Sequence, residues 1–324
     1  MSNLRTSLQR LVVLLICLAL AGCFGGGNKA VRSEAESRAD TLLKRAIRAE
    51  QKGDGAEAEK LLREALAVSS SIEDIPAKSV ELINLARLSR LNSDLAAAAA
   101  AIDAALGLLT PQADFYGEAA HEKALVCLAS GDPATALAWA ERSVAAGPGT
   151  SLGRRLNLVG RILLAQGEWL KAGQTVKRAL EENRGDYNRE ERANSLRMLG
   201  IVARNGKDFG GAEQLLKEAL GIDKQIGASA KIASDLEELA ATARAGGDLN
   251  KTARYLERAY DVHYSAGRFK AAGAAQCALA DLFSKLGDNS KAEASQAKAR
   301  ELAERTSTQK PAMPPATTNP SNNP

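Results

Sequence analysis

The segment "LNLVGRILLAQGEWLKAGQTVKRA", residues 156–179, contains one complete structural unit of this protein. Large apolar residues occur at helical spacing on both sides of Gly167, which predicts two consecutive helices. A glycine can end a helix in the left-handed conformation, and the acid that follows, here Glu168, can cap the next helix. Gly160 and Ala172 are small, so the axes of the two helices can approach closely. The segment therefore predicts a helical hairpin.

The same turn signal recurs along the chain. Successive copies begin 40, 38, 36, 40, 40 and 40 residues apart, and in each copy an acid occupies the second position. The residue seven positions before each turn is always alanine or glycine, a register that composition alone would not maintain. We therefore expect helical hairpins throughout residues 34–306. The turns begin at Gly53, Ser93, Gly131, Gly167, Lys207, Gly247 and Gly287.

This pattern resembles the tetratricopeptide repeat. The clearest copies span residues 156–176 and 196–216, where Gly160 and Gly200 occupy the small position of the first helix. The resemblance implies an all-α fold, a right-handed superhelical solenoid of about seven hairpins over residues 34–306. The period is near 40 residues rather than the family's usual 34, so the helices or the links must be longer than usual. Later links such as "LGIDKQIGAS", residues 220–229, are therefore expected to continue as helix.

The first residues of the chain follow a different pattern. Arg5 and Arg10 precede an apolar run over residues 11–20, which is about half the length that a permanent membrane helix needs. A charged start, a short apolar centre and small residues at the end predict a secretory signal peptide over residues 1–22.

The last three residues of this segment and the cysteine after it, "LAGC" at 20–23, resemble the lipobox of bacterial lipoproteins. The resemblance implies cleavage before Cys23 and lipidation of that cysteine, and several acyl chains anchor a protein stably where one is marginal. Residues 23–33 would then be a lipidated, flexible tether. Phe24 occupies the position where lipoproteins of the inner membrane typically carry aspartate, so we expect the outer membrane, facing the periplasm. An ordinary signal peptide followed by a chance cysteine is the alternative.

Two features delimit the repeat region. Ser33 and Glu36 have capping-box spacing, so the first helix is expected to begin there. Residues 307–324 are rich in proline, threonine and asparagine and lack apolar periodicity, which predicts a disordered tail.

The composition argues against several functions. The chain has 324 residues, a net charge of +4 and only 4 % aromatic residues, which disfavours nucleic acid as a partner. The cysteines show no CxxC spacing, and Cys127 and Cys277 lie in apolar helical patterns that predict buried side chains. His121 lacks the second histidine of a zinc-protease helix, because Leu125 occupies that position. We therefore expect no metal, no cofactor, no catalytic residue and no enzymatic activity.

The first helices of the hairpins would line the concave face of such a solenoid. Their register places arginines and asparagines there, with fewer acids in matching places. Guanidinium groups bind carboxylates in bidentate fashion, and amides can bond the backbone of an extended peptide. We expect this face to hold an acidic or carboxylate-bearing stretch of a partner protein, whereas the alternative is that the arginines are solvated or pair with acids of neighbouring hairpins. The predicted groove residues are Asn84, Arg87, Arg90, Arg154, Asn157, Arg161, Asn194, Arg197 and Arg204.

The function predicted from these features is that of a membrane-anchored interaction scaffold. A lipid anchor joined to repeats resembles the outer-membrane lipoproteins that assist pilus or secretion assembly, and others that organise peptidoglycan enzymes. An envelope enzyme with an unrecognised site in the superhelix is one alternative, and a regulator that binds a ligand is another. A cluster of strongly perturbed acids in one deep pocket would favour the enzyme, whereas a groove without such a cluster would favour the scaffold.

Overall fold

The computed structural model describes residues 32–185 and 188–308, which form fourteen α-helices and no β-strand. The predicted fold class is confirmed: the described residues form an all-α repeat solenoid of helical hairpins. The helices are α1 (Glu34–Gln51), α2 (Gly55–Ser71), α3 (Ile75–Leu91), α4 (Leu95–Leu108), α5 (Tyr116–Ala129), α6 (Pro133–Ala145), α7 (Leu152–Ala165), α8 (Trp169–Glu182), α9 (Arg189–Asn205), α10 (Phe209–Gln225), α11 (Ser229–Ala245), α12 (Leu249–Ser265), α13 (Phe269–Lys285) and α14 (Asn289–Thr308).

The chain divides into two compact units, the first ending at Leu88 and the second beginning at Ser89. In the first unit, α1 and α2 pack against each other. In the second unit, each helix from α4 to α13 packs against the next one along the chain. The helix α9 also contacts α7 and α11, so the first helices of successive hairpins lie side by side. We call the surface formed by α5, α7, α9 and α11 the first-helix face of the second unit.

The predicted turns have the backbone geometry that a helical hairpin requires. The first position of every turn has a positive φ, from 64° at Ser93 and Lys207 to 82° at Gly247. The aspartate that follows then caps the next helix; Asp208 Oδ1, for example, accepts a 2.9 Å hydrogen bond from the amide of Gly211. Glu168, with its longer side chain, makes no such capping bond. The predicted hairpin turns are therefore confirmed.

The period of 40 residues results from long helices. The five helices α9 to α13 each contain 17 residues. Where the turn spacing falls to 36, α6 and α7 contain only 13 and 14 residues. The link at residues 220–229 is helical as far as Gln225 and then turns at Gly227, whose φ is 72°. The prediction that this link would continue as helix is therefore confirmed up to that turn.

Small residues bring the two helices of a hairpin together at the predicted register. A Cβ added to Gly200 would lie 2.7 Å from Leu216 Cγ, and one added to Gly160 would collide with Val176. The alanines at the equivalent position of other hairpins, such as Ala124, are completely buried. Close approach of the helix axes thus depends on glycine or alanine at these points.

Three predictions concern the ends of the described chain. Ser33 and Glu36 form the predicted capping box, in which Glu36 N donates to Ser33 Oγ at 3.1 Å and Ser33 N donates to Glu36 Oε2 at 2.6 Å. The signal peptide, Cys23 and most of the tether lie outside the described residues. The helix α14 ends at Thr308, slightly beyond the predicted start of the tail, and the rest of the tail lies outside the described residues. In the part of the chain that is described, no helix is both long and apolar enough to span a membrane.

One prediction of burial is wrong. Cys127 is buried as expected, but Cys277 is exposed. In the helix α13, Gln276 and Leu279 face the interior instead. The buried face therefore includes a polar residue, Gln276, that a pattern based on apolar residues does not identify. The interior position next to Cys277 could not be identified from hydrophobicity alone.

Candidate protein-binding surface

The predicted groove residues lie on α3, α7 and α9, the first helices of their hairpins. Two of them, Asn84 and Arg87, belong to the first unit. Asn84 Nδ2 donates a 2.8 Å hydrogen bond to the carbonyl of Val80 in its own helix. Arg87 forms an ion pair with Glu50 of α1. In this unit, both side chains are thus engaged by other groups of the protein.

In the second unit, two predicted arginines pair with acids one hairpin further along the chain. Arg90 Nε donates to Glu122 Oε1 at 2.6 Å, and a second bond of 3.4 Å reaches Oε2 of the same carboxylate. Arg204 pairs with Glu238 in the same manner, from α9 to α11. These arginines follow the alternative that the sequence left open, pairing between neighbouring hairpins.

Arg197 is buried between two aspartates. Its Nε donates to Asp235 Oδ1 at 2.6 Å, a second nitrogen donates to Asp223 Oδ2, and the third donates to Asn194 Oδ1 at 2.9 Å. The residue is only 8 % exposed. All the nitrogens of its fork are used internally, so Arg197 connects α9 to α10 and α11 and is not available to a ligand.

The two predicted asparagines of this unit also bind groups of the protein itself. Asn157 Nδ2 donates to the main-chain and side-chain oxygens of Glu191 at 2.9 and 2.8 Å, and its Oδ1 accepts from Ser195 Oγ at 2.7 Å. Asn194 Oδ1 accepts from Lys231 Nζ at 3.0 Å as well as from Arg197. These bonds join α7 to α9 and α9 to α11, so neither amide is free to bond the backbone of a peptide.

Arg154 and Arg161 differ from the other predicted arginines. Both are exposed, and neither forms a hydrogen bond or an ion pair with any other described residue. The surrounding protein nevertheless lowers the pKa of Arg161, chiefly by removing hydration, while Glu191 opposes this shift and Arg90 adds to it. Arg161 is therefore reachable by a ligand but lies among protein atoms rather than projecting into bulk water.

His121 lies beside these two arginines and is almost completely buried, at 6 % exposure. Burial is the largest cause that lowers the pKa of His121 to about 3, and the positive charges of Arg154, Arg161, Arg155 and Arg90 contribute the rest, in that order of effect. Its Nδ1 atom has no hydrogen-bond partner. The imidazole is therefore neutral at physiological pH, mainly because it is buried and in part because positive charges surround it.

A series of buried polar residues between the hairpins was not predicted from the sequence. Asn183 Nδ2 donates to Ser195 Oγ at 3.4 Å, and Ser69 Oγ donates to Glu81 Oε1 at 2.8 Å. A signal for them exists, because the position sixteen residues after the first residue of the turn is polar in four repeats, although it lies at or near the C-terminal end of a helix that packs into the core. Those four residues are Ser69, Asn183, Asp223 and His263, and all are buried.

Arg155 was also missed, although it adjoins a predicted residue. It is buried and donates to the carbonyl oxygens of Ser143 and Gly147, the latter at 2.8 Å. These bonds satisfy carbonyl oxygens at the C-terminal end of α6, where the helix itself supplies no donor. Arg155 therefore has a structural role, while its neighbour Arg154 faces solvent.

The perturbed acids of the described residues do not share one pocket. Burial raises the pKa of Glu81 in the first unit and of Asp235 in the second to about 7. A separate cavity of about 180 Å³ is lined in part by Glu213, whose pKa is lowered to about 2 by hydrogen bonds from Lys217 and Lys251. No group of three or more metal-ligating side chains occurs in the described segments.

Comparisons with known proteins agree with the fold. The tetratricopeptide repeat family matches residues 154–225, which contain the hairpins formed by α7 to α10. No curated protein matches the chain. The family match thus covers two of the hairpins, and the structural relatives share the fold.

Several solved structures share the fold at low identity. A signal transduction ATPase with numerous domains and a tetratricopeptide repeat sensor, from Pyrococcus horikoshii, has a TM-score of 0.66 and 18 % identity over 85 % of this chain and 42 % of its own. A Rap protein complexed with competence and sporulation factor has a TM-score of 0.60 and 14 % identity, covering 83 % of this chain and 77 % of its own. The type IV pilus biogenesis factor PilW has a TM-score of 0.53 and 16 % identity, covering 68 % of this chain and 91 % of its own. The chain thus spans less than half of the first of these proteins, and at such identities the likeness concerns the fold alone.

Proposed function

We propose that this protein is a membrane-anchored tetratricopeptide-repeat lipoprotein that acts as an interaction scaffold for envelope machinery. Its first-helix face would hold an acidic or carboxylate-bearing segment of a partner protein. The observation that carries this proposal is the pair of exposed, unpaired guanidinium groups of Arg154 and Arg161 beside the buried His121. Positive charge that the fold does not neutralise is complementary to an anionic partner.

The expected place of action follows from the amino terminus. The lipobox-like "LAGC" at residues 20–23 supports lipidation of Cys23, and Phe24 supports the outer membrane, on the side facing the periplasm. A protein fixed there is positioned to recruit or help assemble pilus or secretion subunits, or to organise peptidoglycan enzymes. The likeness to a type IV pilus biogenesis factor is consistent with the first of these roles.

The alternative of an envelope enzyme receives less support from the site chemistry. Glu213 adjoins the cavity, but it accepts hydrogen bonds from Lys217 and Lys251 and its pKa is about 2, so it is a poor proton donor at neutral pH. Asp235 and Glu81 have raised pKa values, but both are completely enclosed and out of reach of a substrate. The buried acids are better explained by the polar contacts between hairpins.

Crosslinking in intact cells tests the scaffold. We expect the full-length protein to capture a defined partner in the membrane fraction, identified by mass spectrometry. The double variant Arg154→Glu/Arg161→Glu should lose this partner with unchanged helical content, whereas Arg178→Glu, a change at an exposed arginine of α8, should retain it. Absence of any specific partner would contradict the scaffold. Equal capture by the double variant would contradict the location of the binding surface.

A further inference from the structure

Arg154 and Arg161 lie on the same face of α7, because residues seven apart are separated by about two turns of an α-helix. At a rise of 1.5 Å per residue, their Cα atoms are about 10 Å apart along the helix axis. Both side chains are exposed, so both guanidinium groups can be reached from one side. With His121 of α5, they define what we call the cationic strip.

The acids around the cationic strip are already engaged by other groups. Glu122 accepts hydrogen bonds from Arg90, and Glu118 accepts one from Ser151 Oγ. The Glu191 carboxylate accepts one from Asn157 Nδ2 and a longer one, of 3.4 Å, from Asn194 Nδ2. The imidazole of His121 is neutral, chiefly because it is buried, and the charges of Arg154 and Arg161 add to the lowering of its pKa. The negative charge of Glu191 partly offsets the charge of Arg161, but among the described residues no carboxylate forms an ion pair with Arg154 or Arg161, so both guanidinium groups can bind an external anion.

Taking the proposed scaffold function as its basis, we propose that the cationic strip contains two separate carboxylate subsites, one at Arg154 and one at Arg161, and that the partner presents two acidic side chains about 10 Å apart on one face of an extended segment. A charged hydrogen bond at each guanidinium would fix the register of the segment. Specificity would thus lie in the spacing of the acids and not in net charge alone.

This spacing identifies the sequence pattern of the partner segment. A polyproline II segment rises 3.1 Å per residue with three residues per turn, so acids at positions i and i+3 share one face about 9 Å apart. An extended β-strand fits less well, because residues at i and i+3 point to opposite faces. The expected pattern is therefore acid-x-x-acid in an extended, proline-compatible segment.

Proline spacers supply a molecular ruler for the test. The probe is the peptide Glu-Pro-Pro-Glu, with acetylated and amidated ends that remove the terminal charges. A peptide with five prolines between the glutamates keeps both acids on one face but places them about 19 Å apart. The peptide Glu-Pro-Pro-Gln retains a single acid. Binding is measured by calorimetry at low ionic strength, where charge interactions are least screened.

We expect Glu-Pro-Pro-Glu to bind the wild-type protein at least about tenfold more tightly than either other peptide, as one additional charged hydrogen bond implies. The variants Arg154→Gln and Arg161→Gln should each reduce its affinity to that of the single-acid peptide. The matched control Arg178→Gln, which changes an exposed arginine of α8, should bind like the wild type. Circular dichroism verifies that each variant retains its helical content.

The proposal is overturned if the three peptides bind equally, if none binds, or if Arg154→Gln and Arg161→Gln leave the preference intact. These outcomes differ from failure of the scaffold function. If the wild type and the Arg154→Gln/Arg161→Gln double variant capture the same partner equally in cells, the two subsites are refuted and the scaffold function is retained. If the wild type captures no partner, the scaffold function itself is refuted.

Discussion

Arg197 and Arg161 carry the same chemical group in opposite environments. The guanidinium of Arg197 is buried and donates hydrogen bonds to Asp223, Asp235 and Asn194. Arg161 is exposed and unpaired. Arg161 lies six residues before the turn of its hairpin and Arg197 lies ten residues before the turn of its own. The position in the first helix thus decides which acids an arginine can reach, here Asp223 of the same hairpin and Asp235 of the next one for Arg197. Substitutions at the two positions should therefore have different effects.

We expect Arg197→Gln to lower the free energy of unfolding by about 3–5 kcal/mol, because removing one partner of a buried ion pair leaves uncompensated charge. Arg161→Gln should change it by no more than about 0.5 kcal/mol, as is usual for exposed positions. Urea unfolding followed by circular dichroism measures both. A small effect at Arg197 would show that the aspartates are neutralised in another way.

The two aspartates around Arg197 should make stability depend on pH. Desolvation raises the pKa of Asp235 to about 7, Arg197 of α9 opposes the shift, and the nearby carboxylate Asp223 of α10 increases it. One oxygen of each aspartate also lacks a hydrogen-bond partner. Two carboxylates that share a single arginine favour retention of one proton between them.

The sign of the pH effect follows from the direction of the shift. The unfolded chain releases the proton near the ordinary pKa of about 3.9, and the folded protein releases it near 7. The contribution to stability is therefore complete below about pH 4 and is lost as the pH rises through about 7. Asp235→Asn mimics the protonated form, so its melting temperature should fall less than that of the wild type between pH 4 and pH 8. Parallel melting profiles for the two proteins would contradict the retained proton.

At the scale of the helical elements, the hairpin register rests on single positions with no space for a side chain. Gly200→Leu places a large side chain where a Cβ alone would lie 2.7 Å from Leu216 Cγ. We expect it to destabilise the second unit by ~1–3 kcal/mol through overpacking. The measurement is the melting temperature of the full-length protein.

Gly221 supplies the matched control for this prediction. It lies in the neighbouring helix α10, and an added Cβ there would meet nothing within 4 Å. Gly221→Ala should therefore be neutral or stabilise the protein by up to about 1 kcal/mol, because alanine has the higher helix propensity. If Gly200→Leu melted at the temperature of the wild type, the close helix contact at this position would be refuted.

The helical elements could be predicted from the sequence because their signals are local. A turn such as Gly247-Asp248 combines a left-handed residue with a helix cap within two positions. The partners of the predicted groove residues could not be predicted in this way. Asn157 bonds Glu191, and Arg90 bonds Glu122, across more than thirty residues of sequence. Which acid an arginine meets depends on how one hairpin stacks on the next, and the turn motif does not encode that.

At the scale of the whole molecule, the proposed function combines attachment to a membrane with a protein-binding surface. The cationic strip supplies a surface to which a partner can bind, and the proposed lipid on Cys23 would hold that surface at a membrane. Residues 23–33 contain three consecutive glycines, a composition typical of a flexible tether. The two functions can be separated by mutation, since Cys23 and the arginines of α7 are far apart in sequence.

Cys23→Ser tests the anchor independently of the surface. Each buried CH₂ of an acyl chain contributes ~0.8 kcal/mol, so loss of the lipidated sulfur should remove most of the affinity for the membrane. We expect the wild-type protein in the membrane pellet after cell fractionation and the variant in the soluble envelope fraction.

Cys277→Ser is the matched control, because it replaces a second cysteine that is exposed within α13 and should leave the protein in the pellet. A Cys23→Ser protein that still sediments with membranes would refute lipidation. Because the variant retains Arg154 and Arg161, a released form that still captures the partner would show that the lipid determines where binding occurs and the first-helix face determines what is bound.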